Sequence, residues 1–381
     1  MAQNAQNSLD GPRPARPEEM ETILALANQV MRTAQGREPS IATDYPFIYN
    51  ESNAENIIVV MDRGRAVSMV GSWMNMVEAG DAPLKTGGIN CLATLPGYRG
   101  RGLASRVMTE AVNHMARRDC HLGRLTTGIT NWYHRLGWES AGLYRAYRFN
   151  HSNISLLPKL PPDVQIIQGS DFRDDVIDAI IRLRTADQLG GRRTSGIMRK
   201  LLTADSDPAL MGNRQYVLAV RPKGSAAYCM DSNHGIIEWG GPADLVAGLI
   251  HERFNYRAGD RSGQSPKSLQ DKVKDSPELT LVAPGTGHAF IEVLQSLGFP
   301  CEESYWGMLN ILDPRGILDA FGADDVAVTE EHGRFTLVRG GESVSATRQE
   351  LAKLFFGPER ISEFARDILP FPFWQWPLEH V

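Results

Sequence analysis

The chain has 381 residues, and at roughly 100–200 residues per domain that length predicts two or three domains. Its 40 Lys and Arg against 45 Asp and Glu give a formal charge of −5, and 42% hydrophobic with 22% charged residues excludes disorder across the whole chain. A pI near 6.0 lacks the basic excess of a nucleic-acid-binding domain, so no nucleic-acid partner is expected.

Residues 1–14 are polar, carry Gly, Pro and Asn without periodicity, and are expected to form a disordered tail. The first twenty residues contain no apolar core of a leader, and no later run approaches the ~20 apolar residues that span a bilayer. A cytoplasmic protein without a membrane partner is expected. Met20 to Met31 places apolar residues at helical spacing, while Ile57–Met61 and Ala66–Met76 read as a β-hairpin around Asp62-Arg-Gly-Arg65. Gly87–Thr94 reads as another strand, and Leu103–Arg118 repeats apolar side chains at Leu103, Val107, Ala111, Val112 and Met115, one face of a helix. The strand-like Gly142–Asn150 is followed by Ser155–Pro162, a stretch with a linker's proline content. A first domain over residues 15–154 follows.

Beyond the linker the pattern begins again over residues 155–312: strand Val164–Gln168, helix Asp174–Leu189, strands at Tyr216–Val220 and Gly235–Trp239, helix Asp244–Arg253, strand Leu279–Ala283 and helix Ala289–Leu297. Leu136-Gly137-Trp138 and Leu297-Gly298-Phe299 close the two stretches in the same way, 161 residues apart, which predicts a duplication. Residues 313–381 read as helix, β-hairpin around Arg339-Gly-Gly341, helix and a Pro/aromatic tail, too little core to stand alone. The four cysteines, Cys91, Cys120, Cys229 and Cys301, form no C-x-x-C pair and have no histidines at zinc-site spacing, so no metal is expected.

The most informative segment is Leu92-Ala-Thr-Leu-Pro-Gly-Tyr-Arg-Gly-Arg-Gly-Leu-Ala-Ser105, a strand running through a glycine-containing turn into a helix. Gly100 and Gly102 remove the Cβ atoms that would block a close approach, and the helix N-terminus adds about half a positive charge. A diphosphate suits such a turn, with Arg99 and Arg101 adding charge. The rival phosphate motifs fail: there is no G-x-x-x-x-G-K-[ST], and position 105, where G-x-G-x-x-G needs glycine, is serine.

This segment resembles the GNAT family of acetyl-CoA-dependent acyltransferases, whose Arg-x-x-Gly-x-Gly/Ala signature is matched by Arg99-Gly-Arg-Gly102-Leu-Ala104. Some 30 residues later, Trp132-Tyr-His-Arg-Leu-Gly-Trp138 resembles the family's Tyr-x-x-x-Gly-Phe element. The resemblance implies that Arg99, Gly100, Arg101, Gly102, Leu103 and Ala104 hold the pyrophosphate of acetyl-CoA, a co-substrate. Leu92, Ala93 and Thr94 would line its pantetheine arm where the strand splays from its neighbour. It also implies that the hydroxyl of Tyr133 is the general acid that protonates the leaving thiolate, a phenol with an ordinary pKa near 10 being protonated at neutral pH. His134 and Trp132 are expected to face elsewhere. In the second stretch Leu294 stands where Tyr133 does, and the expected phosphate turn reads Trp239-Gly-Gly-Pro-Ala-Asp244, so that copy is expected to be degenerate.

The chain ends Phe371-Pro-Phe-Trp-Gln-Trp-Pro-Leu-Glu-His-Val381, an apolar terminus expected to be buried. An α/β, mixed-sheet architecture of two tandem GNAT-like domains plus a short C-terminal α+β piece resembling a sterol carrier protein is similar to the enhanced intracellular survival (Eis) family. That resemblance implies a homo-oligomer, and an active site in the first domain where the carboxylate of Val381 orients or deprotonates a small-molecule or peptide amine. His380 is a substrate-side candidate, and it departs from the acidic penultimate residue that favours polycationic aminoglycosides in relatives. Trp73, on one face of its strand with Met69, is the other substrate-side candidate. Arg182, Arg184, Arg192, Arg193, Arg199 and Lys200 read as a solvated basic face, and Asp44, Glu51, Glu78 and Asp81 as surface acids. A coenzyme-A-binding assembly protein without turnover is the alternative function.

Overall fold

The computed structural model describes residues 9–379 apart from 205–213, 223, 225, 233–234, 262–277 and 286. The first stretch runs β1 (Leu9–Pro14), α1 (Met20–Met31), α2 (Ile41–Asp44), β2 (Ile57–Asp62), β3 (Arg65–Ala79), β4 (Ala82–Thr94), α3 (Leu103–Arg117), β5 (Leu122–Leu125), α4 (Thr130–His134) and β6 (Glu139–Phe149). The second runs β7 (Gln165–Gly169), α5 (Asp174–Asp187), β8 (Leu189–Gly191), α6 (Ser195–Thr203), β9 (Gln215–Val220), β10 (Ala226–Ser232), β11 (Gly235–Gly240), α7 (Ala243–Arg261), β12 (Leu279–Pro284), α8 (Ala289–Ser296) and β13 (Cys301–Ile311).

These strands share one mixed sheet in the order β1-β2-β3-β4-β5-β13-β6-β12-β11-β10-β9-β7, with β8 paired to β3. The last strand of each stretch crosses into the other. β13 lies between β5 and β6, and β6 lies between β12 and β13, the two running antiparallel from Cys301↔Tyr147 to Leu309↔Glu139. The order outward from this central pair is the same in both directions, which is the topology of a duplicated unit. Gly137 and Gly298 close equivalent helices with φ of +86° and +70°, a left-handed conformation that glycine adopts without a Cβ penalty.

Residues 9–14 are not a disordered tail. They form β1, paired antiparallel with β2 from Leu9↔Asp62 to Pro14↔Ile58. Pro12 and Pro14 hide this strand from a pattern reading, yet an edge strand tolerates residues that cannot donate to a ladder. β10 also escapes the pattern, because its residues are buried on both faces and do not alternate.

The C-terminal piece consists of α9 (Pro314–Ala320), an antiparallel sheet of β14 (Ala327–Glu331), β15 (Arg334–Arg339) and β16 (Glu342–Thr347), and α10 (Arg348–Phe356). Thr347 and Glu350 form a reciprocal capping box at the start of α10. The tail beyond it is buried from Phe371 to Leu378, apart from the half-buried Pro372 and Pro377. Trp376 packs edge-on against Trp239 at 5.3 Å between centroids, and its Nε1 donates to the Leu189 carbonyl at 3.2 Å. The tail therefore docks mainly on the second stretch.

Candidate active site

Strand β4 carries the irregularity on which the site is built. Met69 pairs with Ala93 and Gly71 with Asn90, so Cys91 and Leu92 together oppose Val70, and Cys91 takes φ +45°. This is a β-bulge, and it re-aims the strand. The parallel pairing of β4 with β5 covers only Thr86↔Leu122, Gly87↔Gly123 and Gly88↔Arg124. From Ile89 to Thr94 the two strands part, which opens a wedge in the sheet.

Next comes the turn. Gly100 and Gly102 both have φ +73°, and a Cβ built on either meets nothing within 4 Å, so the backbone is open to a ligand here. Gly102 is the N-cap of α3, whose unpaired first-turn N–H groups face outward. Arg101 stacks over the Tyr98 ring at 5.0 Å and donates to the Gly97 carbonyl, while Arg99 donates from Nε to the Thr94 carbonyl at 3.3 Å. A cavity of about 410 Å³ follows from wedge to turn, lined by Leu92, Thr94, Arg99, Gly100, Gly102, Leu103 and Ala104.

Of the nine residues expected at the coenzyme, Ala93 is 1% exposed and points into the core, and Arg101 lies beside the cavity. Sequence reasoning missed Val30, Tyr98, Ser105, Ile129 and Trp132 of the lining. Trp132 does not face elsewhere as expected: with Ile129 it lines the cavity, whereas Tyr133 is not among the lining residues. His134 does turn away, with its Nε2 2.9 Å from Glu139. Tyr133 is buried, edge-on to Trp132 at 4.8 Å and to Trp138 at 6.4 Å, and burial raises its pKa. Its phenol is protonated at neutral pH.

On the opposite face of β3 and β4 lies a polar, largely buried surface. Trp73 is 7% exposed, with its ring 4.6 Å from Phe47. Tyr49 donates to Asn90 Oδ1 at 2.9 Å, next to the bulge. Asp44 is not a surface acid: Arg32 donates to it from Nε at 2.9 Å and Nη2 at 2.5 Å, a buried pair that fastens α1 to α2. Glu78 pairs with Arg192, and Asp81 accepts from Gln188.

The basic residues of α5 and of the segment after it are likewise not a solvated face throughout. Arg184 and Arg193 are buried and converge on two carboxylates, Glu238 and Glu379. Glu379 is fully buried and accepts from Arg184 Nη2 at 3.0 Å, Arg193 Nε at 2.8 Å, Gly191 N at 3.0 Å and Trp376 N at 3.1 Å. Burial pushes its carboxyl up, but the two guanidiniums outweigh this and hold its pKa below the ordinary value. An ionised carboxylate so engaged holds the tail and is no free base. His380 and Val381 lie outside the described residues.

The second stretch lacks an equivalent site in its corresponding turn. Gly241 N donates to Asp187 at 2.8 Å, so a phosphate would meet a carboxylate there, and Leu294 is buried in the core. Among the described residues no cluster of three or more His, Cys, Asp or Glu could hold a metal, and no helix is long and apolar enough to cross a membrane.

The glycine turn at a helix start, the bulged β4 and the β4–β5 wedge form a site of the GNAT acyltransferase type. The family model of the acetyltransferase (GNAT) domain matches residues 12–141, so the chain carries such a domain at this site, and acetyl-CoA is the acyl donor of that family. The fold is similar to those of a conserved protein of unknown function from Enterococcus faecalis (16% identity, TM-score 0.63, 90% of this chain and 88% of that one). It is also similar to a GCN5-related N-acetyltransferase from Anabaena variabilis (13%, 0.61, 90% and 89%) and to Eis1 from Mycobacterium abscessus (12%, 0.56, 91% and 90%). At these identities the likeness is one of fold. No curated protein matches the sequence.

Proposed function

We propose that the chain transfers the acetyl group of acetyl-CoA to an amine, a small molecule or a peptide lysine, at one site per chain in the β4–β5 wedge. The observation that carries this reading is the continuous cavity from Leu92 to the open Gly100–Gly102 turn. The coenzyme supplies an activated thioester; the protein's residues do the rest. The first-turn N–H groups of α3, with Arg99 and Arg101, hold the diphosphate. Tyr133, protonated and shielded, donates its phenolic proton to the departing thiolate. A carboxylate at Val381 orients the cationic amine, a role supported by Glu379, two residues before it, docking on Gly191, which pairs with Val77 of β3. We further read the chain as units 15–154, 155–312 and 313–381 with the active site in the first, acting in the cytoplasm as a homo-oligomer.

The test is a panel of amines with acetyl-CoA and thiol detection. Thiol release that depends on amine supports catalysis. Tight acetyl-CoA binding with no release across the panel would instead favour a coenzyme-A-binding protein without turnover.

A further inference from the structure

The buried charges beside the tail do not balance. Arg184, Arg193 and Arg124 contribute three cations, whereas Glu238 and Glu379 contribute two anions, both already engaged by Arg184 and Arg193. Arg124 is the remaining cation. It is 1% exposed, and among the described residues its guanidinium has only neutral partners: Nε donates to Thr86 Oγ1 at 3.2 Å and Nη2 to Asn75 Oδ1 at 3.1 Å. Its face lies 5.8 Å from the Trp73 ring. Burial drives its pKa down to about 9, offset in part by the charge of Glu379. It remains a cation at neutral pH, held at a cost that no described side chain repays.

A second observation points the same way. Asn75 Oδ1 accepts from both Arg124 and Thr86 Oγ1, which leaves Asn75 Nδ2 buried without a partner. A guanidinium and an orphaned amide N–H side by side lack one thing, an anionic acceptor with two oxygens. Their position in the sheet relates this pair to the reaction. Trp73, Gly88 and Arg124 are in register across β3, β4 and β5, and Gly88↔Arg124 is the last pair before the strands part.

We propose that Arg124, with Asn75, is a carboxylate receptor for the acceptor on the Trp73 face of β3, β4 and β5, so that the acceptor is an amine bearing a carboxylate several bonds away. The inference rests on the acyl-transfer reading above. Along β4, the three residues from Gly88 to the bulge at Cys91 cover about 10 Å. An ω-amino acid of the length of lysine, anchored at Arg124, extends its amine along that path toward the wedge. The other source of a carboxylate is the chain's own segment beyond Glu379, and the experiment separates the two.

Lysine and cadaverine differ only in the carboxylate. Both are titrated calorimetrically into the coenzyme A complex of the full-length protein, which requires no turnover, and both are assayed for thiol release. The expected result is lysine binding at least about tenfold tighter than cadaverine, with the preference abolished in Arg124→Met through loss of lysine affinity. Arg124→Met, which removes an uncompensated buried charge, should melt no lower than wild type; Arg124→Lys, which keeps the charge without the fork, should retain part of the preference and covers the case of a poorly folded methionine variant.

Equal binding of the two amines, or a preference that survives in Arg124→Met, overturns the proposal. If a preference appears only in protein truncated after Glu379 and is removed there by Arg124→Met, the chain itself supplies the carboxylate and the assignment to the acceptor is overturned. Selective, Arg124-dependent lysine binding without thiol release would refute the acetyl-transfer reading while leaving the receptor in place.

Discussion

Glu379→Gln separates a docked tail from a merely apolar one. The substitution keeps the volume of the side chain and removes its charge at a fully buried position where two guanidiniums and two backbone N–H groups converge. Arg184 and Arg193 would be left with Glu238 alone, and with Arg124 nearby the cluster would hold three cations against one anion. Removing one partner of a buried ion pair costs about 3–5 kcal/mol. That is enough to shift a docked tail that is populated nearly completely toward one that opens frequently. The expected outcome is a melting temperature lower by several degrees, C-terminal trimming by carboxypeptidase at rates well above wild type, and red-shifted indole emission as Trp374 and Trp376 meet water. Acid should act similarly. Because the folded-state pKa of Glu379 lies below its ordinary value near 4.5, its stabilisation is complete above about 4.5 and is lost as pH falls from there through the folded value. A variant with wild-type melting and wild-type resistance to carboxypeptidase would refute the idea that this carboxylate holds the tail.

Tyr133→Phe should lower turnover by about 10²–10⁴-fold with coenzyme binding nearly unchanged, and should remove any alkaline limb of the rate profile above pH 10, since burial raises this phenol's pKa; stopped-flow rates across pH decide it. Gly102→Asp should abolish coenzyme A binding by calorimetry because the new carboxylate faces the diphosphate cradle, while the fold persists at a cost of about 1–2 kcal/mol for the left-handed φ of +73°, since a Cβ there meets nothing within 4 Å; unchanged affinity would make the turn an ordinary loop. Gly123→Ala should cost about 1–3 kcal/mol in urea unfolding, since its Cβ would sit 2.8 Å from the buried Trp138 ring. A C-terminal tag should cut turnover at least about tenfold without lowering the melting temperature, whereas a fully active tagged protein would reduce the tail's role to packing.

What the sequence determined is local. Arg99–Ala104 specifies its own turn, because glycines at 100 and 102 are what a left-handed backbone at a helix start requires, and Leu136-Gly-Trp138 and Leu297-Gly-Phe299 mark the repeat because each ends a helix by the same conformation. The alternation and helical periods in residues 57–118 likewise placed β2 to α3 within a few residues. Other features depended on partners far away in the chain. β1 exists because Ile58–Asp62 presents an edge to it, which no period within its proline-rich six residues could reveal. The exchange of β6 and β13 is a choice between equivalent pairings, and only the assembled sheet decides it. Above all, charge in a sequence carries no burial. Asp44, Arg184 and Arg193 read as solvated residues, yet each, like Glu379 in the buried tail, is desolvated against an opposite charge 12 to 195 positions away, and Arg124 becomes distinctive only once tertiary packing has removed water from it and brought no described carboxylate within reach.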